Sequence, residues 1–231
     1  DEAKQYMLKA INLNPELTKA YFSLSVFNLS SSNKEWKNKL FSEKFLINKT
    51  LREKIDVYFA RSNIFYQEKK YDESAHYLKL ANDLKLTIKP SNLISIFNKS
   101  KVLLTVSQEK YKKQNFKRTF PQSIFIVGMP RSGSTLIESI LSMNKNVSDL
   151  GETMILEEAF NISEENKSKF NLTEIYHQKL ETLMTDYQIT TNKNLYNFLY
   201  TGIISQRILN AKVIYCLRNP LDNILSIYKA N

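Results

Sequence analysis

The sequence predicts a helical N-terminal part followed by a three-layer α/β domain built on a parallel sheet. Three observations carry that expectation. Residues 1–86 are helical in pattern and repeat small and aromatic positions in the manner of stacked helical hairpins. From residue 123 short apolar, β-branched runs appear instead, SIFIV at 123–127 and KVIYCL at 212–217, which suit strands buried on both faces. Each run passes into a turn and then a helix opening, the strand–turn–helix unit of α/β folds.

The N-terminal part reads as tetratricopeptide-like repeats. Asp1-Glu2-Ala3 and Leu8-Lys9-Ala10, followed by Leu13-Asn14-Pro15, match the second helix and exit of one unit, and Lys19-Ala20-Tyr21 with Leu24 opens another. Tyr58, Phe65, Tyr71-Asp72-Glu73-Ser74, Leu78 and Ala81 fall at the aromatic and small positions of a third. Small residues let paired helices approach, and aromatics fill the groove between them. Ser30-Ser31-Ser32-Asn33-Lys34-Glu35 is expected to be a turn in a degenerate middle unit. The chain is expected to begin inside a repeat, and its first residues lack a signal-peptide layout.

Residues 87–122 are expected to link the two parts. They hold a helix over 93–106 and a basic run at 109–118, EKYKKQNFKR, with Tyr111 and Phe116 interleaved. Such a run can contact nucleic acid, but its shortness, and Pro121 just before the strand, favour a solvated linker face. No nucleic-acid partner is expected.

The net charge of +10 favours anionic partners, and 42% hydrophobic residues can build a core in 231 residues. Cys216 is the one cysteine, so an intrachain disulfide is excluded and a reducing, cytoplasmic setting is expected. No apolar stretch approaches bilayer-spanning length. His76 and His177 lie on separate expected helices, so no metal site is expected.

The chemistry concentrates after residue 123. Gly128-x-x-x-x-Gly133-Ser134-Thr135 has the spacing of a P-loop, a Gly-bounded turn between a strand and a helix N-terminus. Converging backbone N–H groups and the helix dipole favour an anion there. Ser134 stands where a nucleotide triphosphatase carries Lys, and the cation is Arg131, inside the loop. The hydroxyls from Ser132 to Thr135 are expected to cap the helix. Gly151-Glu152 precedes a helical pattern over 154–160; its carboxylate either complements that helix's dipole or serves as a base facing the loop. Lys193 follows an expected polar turn, Thr190-Thr191-Asn192, and leads into a helix over 195–209. Arg218 ends the second strand, where open α/β sheets bind ligands. Ser226 is expected near the start of the following helix. Arg218 forms either a second anion site with it or a turn bridge to Asp222.

In this order, PRSGST at 130–135, Gly151-Glu152, Asn192-Lys193 and RNPLDNILSIYK at 218–229 closely resemble the nucleotide-dependent sulfotransferases. The resemblance is strongest to the bacterial tetratricopeptide-repeat sulfotransferases and the tyrosylprotein sulfotransferases. It implies a P-loop-like three-layer α/β sulfotransferase domain over 123–231. It implies that Arg131, Ser132, Gly133, Ser134 and Thr135 hold the 5′-phosphosulfate of 3′-phosphoadenylyl sulfate (PAPS), and that Arg218 and Ser226 hold its 3′-phosphate. Glu152 matches the general base. Lys193 matches the lysine that steadies the leaving phosphate, a task Arg131 shares. No metal takes part. The acceptor hydroxyl belongs to a protein tyrosine, a glycan or a small molecule, with the repeats as candidate protein- or peptide-binding elements. Asn219 departs from the Asp that many relatives carry after the arginine. Relatives also continue beyond the helix that opens after Arg218, so the chain is expected to be C-terminally incomplete, which leaves open whether it is active as it stands. Two other classes remain: a P-loop nucleotide-triphosphate kinase-like enzyme, disfavoured by Ser134, and a tetratricopeptide binding module with a degenerate α/β half.

Overall fold

The computed structural model describes residues 2–27, 34–109, 119–165, 171–184 and 187–230. The expected turn at 30–35 and the basic run at 109–118 lie mostly outside these residues. Two compact units divide between Ser91 and Asn92, and the first also takes in Tyr228 onward.

The first unit is helical. Its helices are α1 (Glu2–Leu13), α2 (Thr18–Ser25), α3 (Lys34–Phe41), α4 (Leu51–Gln67) and α5 (Tyr71–Ile88), with a 3₁₀ turn at Glu43–Leu46. Thr50 and Glu53 form a capping box that starts α4. α4 packs on both α2 and α5. Tyr21, Leu24, Leu40, Val57 and Ala60 make the core on one side of α4, and Ile55, Phe59, Leu78 and Ala81 the core on the other. Ser62 and Ser74 each donate a hydroxyl to the other's carbonyl at 2.9 Å, which fastens α4 to α5 at close range.

The second unit, Asn92–Ile227, holds α6 (Leu93–Gln108), β1 (Gln122–Gly128), α7 (Ser134–Leu141), β2 (Val147–Asp149), α8 (Ile155–Glu165), α9 (Leu172–Leu183), β3 (Ile189–Asn192), α10 (Thr201–Arg207), β4 (Ala211–Cys216) and α11 (Pro220–Tyr228). A 3₁₀ segment, Leu195–Tyr200, lies between β3 and α10. The strands form one parallel sheet in the order β2-β3-β1-β4. Alternate residues of β1 face opposite sides. Phe125 joins Leu156, Tyr176, Leu180 and Ile204 from α8, α9 and α10, while Ile124 and Ile126 meet Ile137 and Leu141 of α7. Helices thus cover both faces, and the three layers expected from the sequence are present.

Several elements differ from expectation. Helix α5 runs to Ile88, past the boundary expected at residue 86, and α6 is no linker. It packs on α10 and the 3₁₀ segment, with Leu103 in the core of the second unit. Thr190-Thr191-Asn192 is strand rather than turn. Thr190 donates to Ser123 Oγ (3.3 Å) and Thr191 to the buried Glu138 Oε1 (2.9 Å), so these hydroxyls are satisfied inside the sheet. The helix expected over 195–209 is a 3₁₀ turn followed by the shorter α10, because Asn194 caps the segment by accepting from the Tyr196 amide. Helix α11 starts at Pro220, with Asn219 accepting from the Leu221 and Asp222 amides, so Ser226 sits towards its end. No helix among the described residues is long and apolar enough to cross a membrane.

Candidate functional site

A parallel sheet gathers all its strand-to-helix turns at one edge, the carboxyl ends of the strands. Each of the four stretches singled out in the sequence lies at that edge: the 128–133 loop after β1, Glu152 after β2, Lys193 after β3 and Arg218 after β4. A cavity of about 960 Å³ at this edge is lined by the whole loop through Thr135 and by Glu152, Arg218, Tyr215, Asn194, Leu195, Tyr196, Phe198 and Ile96, with Lys193 behind Glu152.

The loop is held by close backbone approach. A Cβ on Gly128 (φ 149°) would sit 2.6 Å from the Cys216 carbonyl oxygen, so only glycine lets β1 end against β4 here. Arg131 adopts a left-handed φ of 67°, a conformation that costs a non-glycine residue and needs its surroundings to hold it. Three contacts do so. The Asn223 amide donates to the Pro130 carbonyl (2.6 Å), Arg218 Nη1 to the Arg131 carbonyl (3.1 Å), and Arg131 Nε to Ser226 Oγ (3.2 Å). Arg131, Arg218 and Ser226 are therefore one connected cluster, and Arg218 turns to the loop rather than to Asp222.

The cap expected from the hydroxyl run is not formed. The N-cap of α7 is Gly133, at φ 95°, and it supplies no side-chain acceptor. The Ser132 hydroxyl is buried and has no hydrogen-bond partner among the described residues. A helix start without a side-chain cap, an orphaned hydroxyl and two guanidinium groups make an arrangement suited to an anion.

On the far side of the cavity, Lys193 Nζ donates to Glu152 Oε1 at 2.7 Å. The lysine side chain is 7% exposed and the carboxylate 68%, so the pair has a buried cation and a wet anion. Lys193 is fixed by its own backbone, whose amide donates to the Gly151 carbonyl (2.8 Å), while the Leu150 amide donates to the Thr191 carbonyl (3.0 Å). Three buried asparagines complete this side: Asn192, singled out beside Lys193, and Asn194 and Asn197, which were not. Asn192 Nδ2 donates to Thr153 Oγ1, Asn194 Nδ2 to the Thr153 carbonyl, and Asn197 Nδ2 to Asn192 Oδ1. They lock the Glu152 turn to the 3₁₀ segment. Three asparagines within six residues were the signal for this network. Cys216 lies beneath the loop, and burial pushes its thiol up, so it packs as a neutral group. Among the described residues no cluster of His, Cys, Asp or Glu could hold a metal ion.

Residues 121–231 match the model of the sulfotransferase family. The sulfotransferase match begins just before β1 and covers every residue of the cluster and of the Glu152–Lys193 pair; it spans just under half of the chain. Among curated proteins, an uncharacterized protein of Aquifex aeolicus is 31% identical over 128 residues, covering 47% of this chain and 17% of that relative. The chain therefore corresponds to a small part of that relative's length. No solved structure matches the chain at a significant level.

Proposed function

We propose that the chain is part of a sulfotransferase that moves the sulfuryl group of PAPS to an acceptor hydroxyl. The observation that carries the reading is the convergence of two arginines, an uncapped helix start and a carboxylate on one cavity at the carboxyl edge of a parallel sheet, with the buried Lys193 bonded to that carboxylate. The sulfotransferase-family match over this segment supports it.

The residues present fit the donor. Ser132 to Thr135 and the α7 N-terminus would hold the 5′-phosphosulfate with Arg131, and Arg218 with Ser226 would hold the 3′-phosphate. In transfer, Glu152 would take the proton of the acceptor hydroxyl as its oxygen bonds to sulfur. Lys193 and Arg131 would stabilise the charge left on the phosphate oxygen when its bond to sulfur breaks. Positioning and charge neutralisation are the main contributions, as in phosphoryl transfer. Lys193 Nζ already gives one of its three N–H donors to Glu152, and that carboxylate would compete with the phosphate for its charge.

The helices of the first unit read best as tetratricopeptide-like repeats with a protein or peptide partner. The close, serine-fastened approach of α4 and α5 supports that reading. Titration decides the function: adenosine 3′,5′-bisphosphate without metal should bind more tightly than ATP with Mg²⁺. The reverse order would favour a triphosphate-dependent kinase. Binding of neither would favour a module whose α/β half is inert.

A further inference from the structure

The charges lining the cavity are unevenly distributed. Arg131 and Arg218, the two cations that line it among the described residues, both belong to the loop and β4 side. The opposite wall, beyond Glu152, is made by Ile96 of α6 and by Asn194, Leu195, Tyr196 and Phe198 around the 3₁₀ segment. Tyr196 is 59% exposed and Phe198 45%, large apolar surfaces left open beside a carboxylate. Leu93, one turn before Ile96 and also exposed, extends this wall along α6. The nearby Lys193 is engaged by Glu152, and Lys99 of α6 is engaged by Glu157. The Asn194 side chain is already engaged, its Nδ2 donating to the Thr153 carbonyl and to Met154 Sδ and its Oδ1 accepting from the Tyr196 amide.

Among the described residues this wall has no free cation with which to neutralise a polyanion and little with which to hydrogen-bond a sugar, but it can desolvate an aromatic or aliphatic body. Asn192, Asn194 and Asn197 tie it rigidly to the Glu152 turn, so a body seated on it would be held at a fixed distance from the carboxylate. We infer that the acceptor is an uncharged, largely apolar alcohol or phenol seated on Ile96, Leu195, Tyr196 and Phe198, and not a polyanionic glycan or an acidic peptide. This rests on the sulfotransferase reading above. In the step it implies, the acceptor oxygen bonds to sulfur and its proton passes to Glu152. The bond from sulfur to the bridging phosphate oxygen breaks, and its electron pair stays on that oxygen.

The test is calorimetric titration of the full chain, saturated with adenosine 3′,5′-bisphosphate, with 2-naphthol, chondroitin and a glutamate-rich tyrosine peptide in turn. The expected result is binding of 2-naphthol ahead of both polyanions. Tyr196→Ala and Phe198→Ala should each weaken it about tenfold, a typical loss for an aromatic contact with its buried area. Tyr196→Phe should bind it like the wild type, because the ring and not the hydroxyl makes the wall. Both truncations remove exposed side chains, and unchanged bisphosphate affinity shows that the fold survives. Tighter binding of chondroitin or the acidic peptide overturns the inference. So does loss of bisphosphate affinity in the two alanine variants with thermal stability intact, which would assign this wall to the nucleotide's base. Failure of the wild-type chain to bind the bisphosphate at all overturns the sulfotransferase reading itself, a separate result.

Discussion

Replacing Glu152 by Gln should slow transfer and tighten nucleotide binding in the same variant. The carboxylate sits 2.7 Å from Lys193 Nζ, where it competes with an incoming phosphate for the ammonium's charge. The strength of this competition follows from exposure. A fully wet ion pair contributes ~0.2–1 kcal/mol. Here the anion is wet, at 68% exposed, while the cation is buried, at 7%, which puts the pair near the upper end of that range. Releasing about 1 kcal/mol corresponds to roughly a fivefold fall in the dissociation constant of adenosine 3′,5′-bisphosphate. Loss of the general base should cut turnover by about 10²–10⁴. Calorimetry with the bisphosphate and single-turnover transfer from labelled donor, both on a chain shown to be active, measure the two effects. Unchanged turnover would remove Glu152 from the chemistry. Unchanged or weaker nucleotide binding in a variant that melts like the wild type would refute the shared lysine.

The other predictions concern the same edge of the sheet. Lys193→Ala should reduce turnover more than nucleotide affinity, read from kcat beside the bisphosphate Kd; an equal loss in both would reduce it to a binding group. Arg218→Ala should weaken adenosine 3′,5′-bisphosphate more than AMP, and equal losses would mean that it acts only through the Arg131 carbonyl. Gly128→Ala should lower stability by about 1–3 kcal/mol and abolish bisphosphate binding, because its Cβ would strike the Cys216 carbonyl at 2.6 Å; denaturant melts check this. Thr191→Val leaves the buried Glu138 carboxylate without that hydroxyl and should cost about 1–3 kcal/mol in the same melts.

What the sequence made legible was what local chemistry dictates. β1 and β4 are apolar and β-branched, and the turns that follow them carry Gly, Pro and Asn. Their strand–turn–helix character therefore survives without tertiary information. β3 was hidden because Thr190, Thr191 and Asn192 look like a turn until Ser123 and Glu138 arrive from β1 and α7 to satisfy them. β2, three residues long, offers too little pattern for any periodicity to register. The site followed the same division. Arg131 and Arg218 were selected by type and by their place after a strand, Glu152 and Lys193 by the family resemblance, and the structure brings all four to one edge. That Arg131 reaches Ser226, and that Lys193 is already held by Glu152, depends on which turns stand side by side. The strand order sets that, and the sequence does not print it.

The place of β1 in the middle of the sheet has a consequence for how the molecule matures. Its neighbours on either side, β3 and β4, are synthesised long after it, so the 128–133 loop emerges from the ribosome with neither flank in place. Long-range parallel pairing is slow to form. The cavity at the carboxyl edge should therefore form late and all at once, when the last strand docks. A ligand that binds only the finished edge would then act as a clasp on the folded chain.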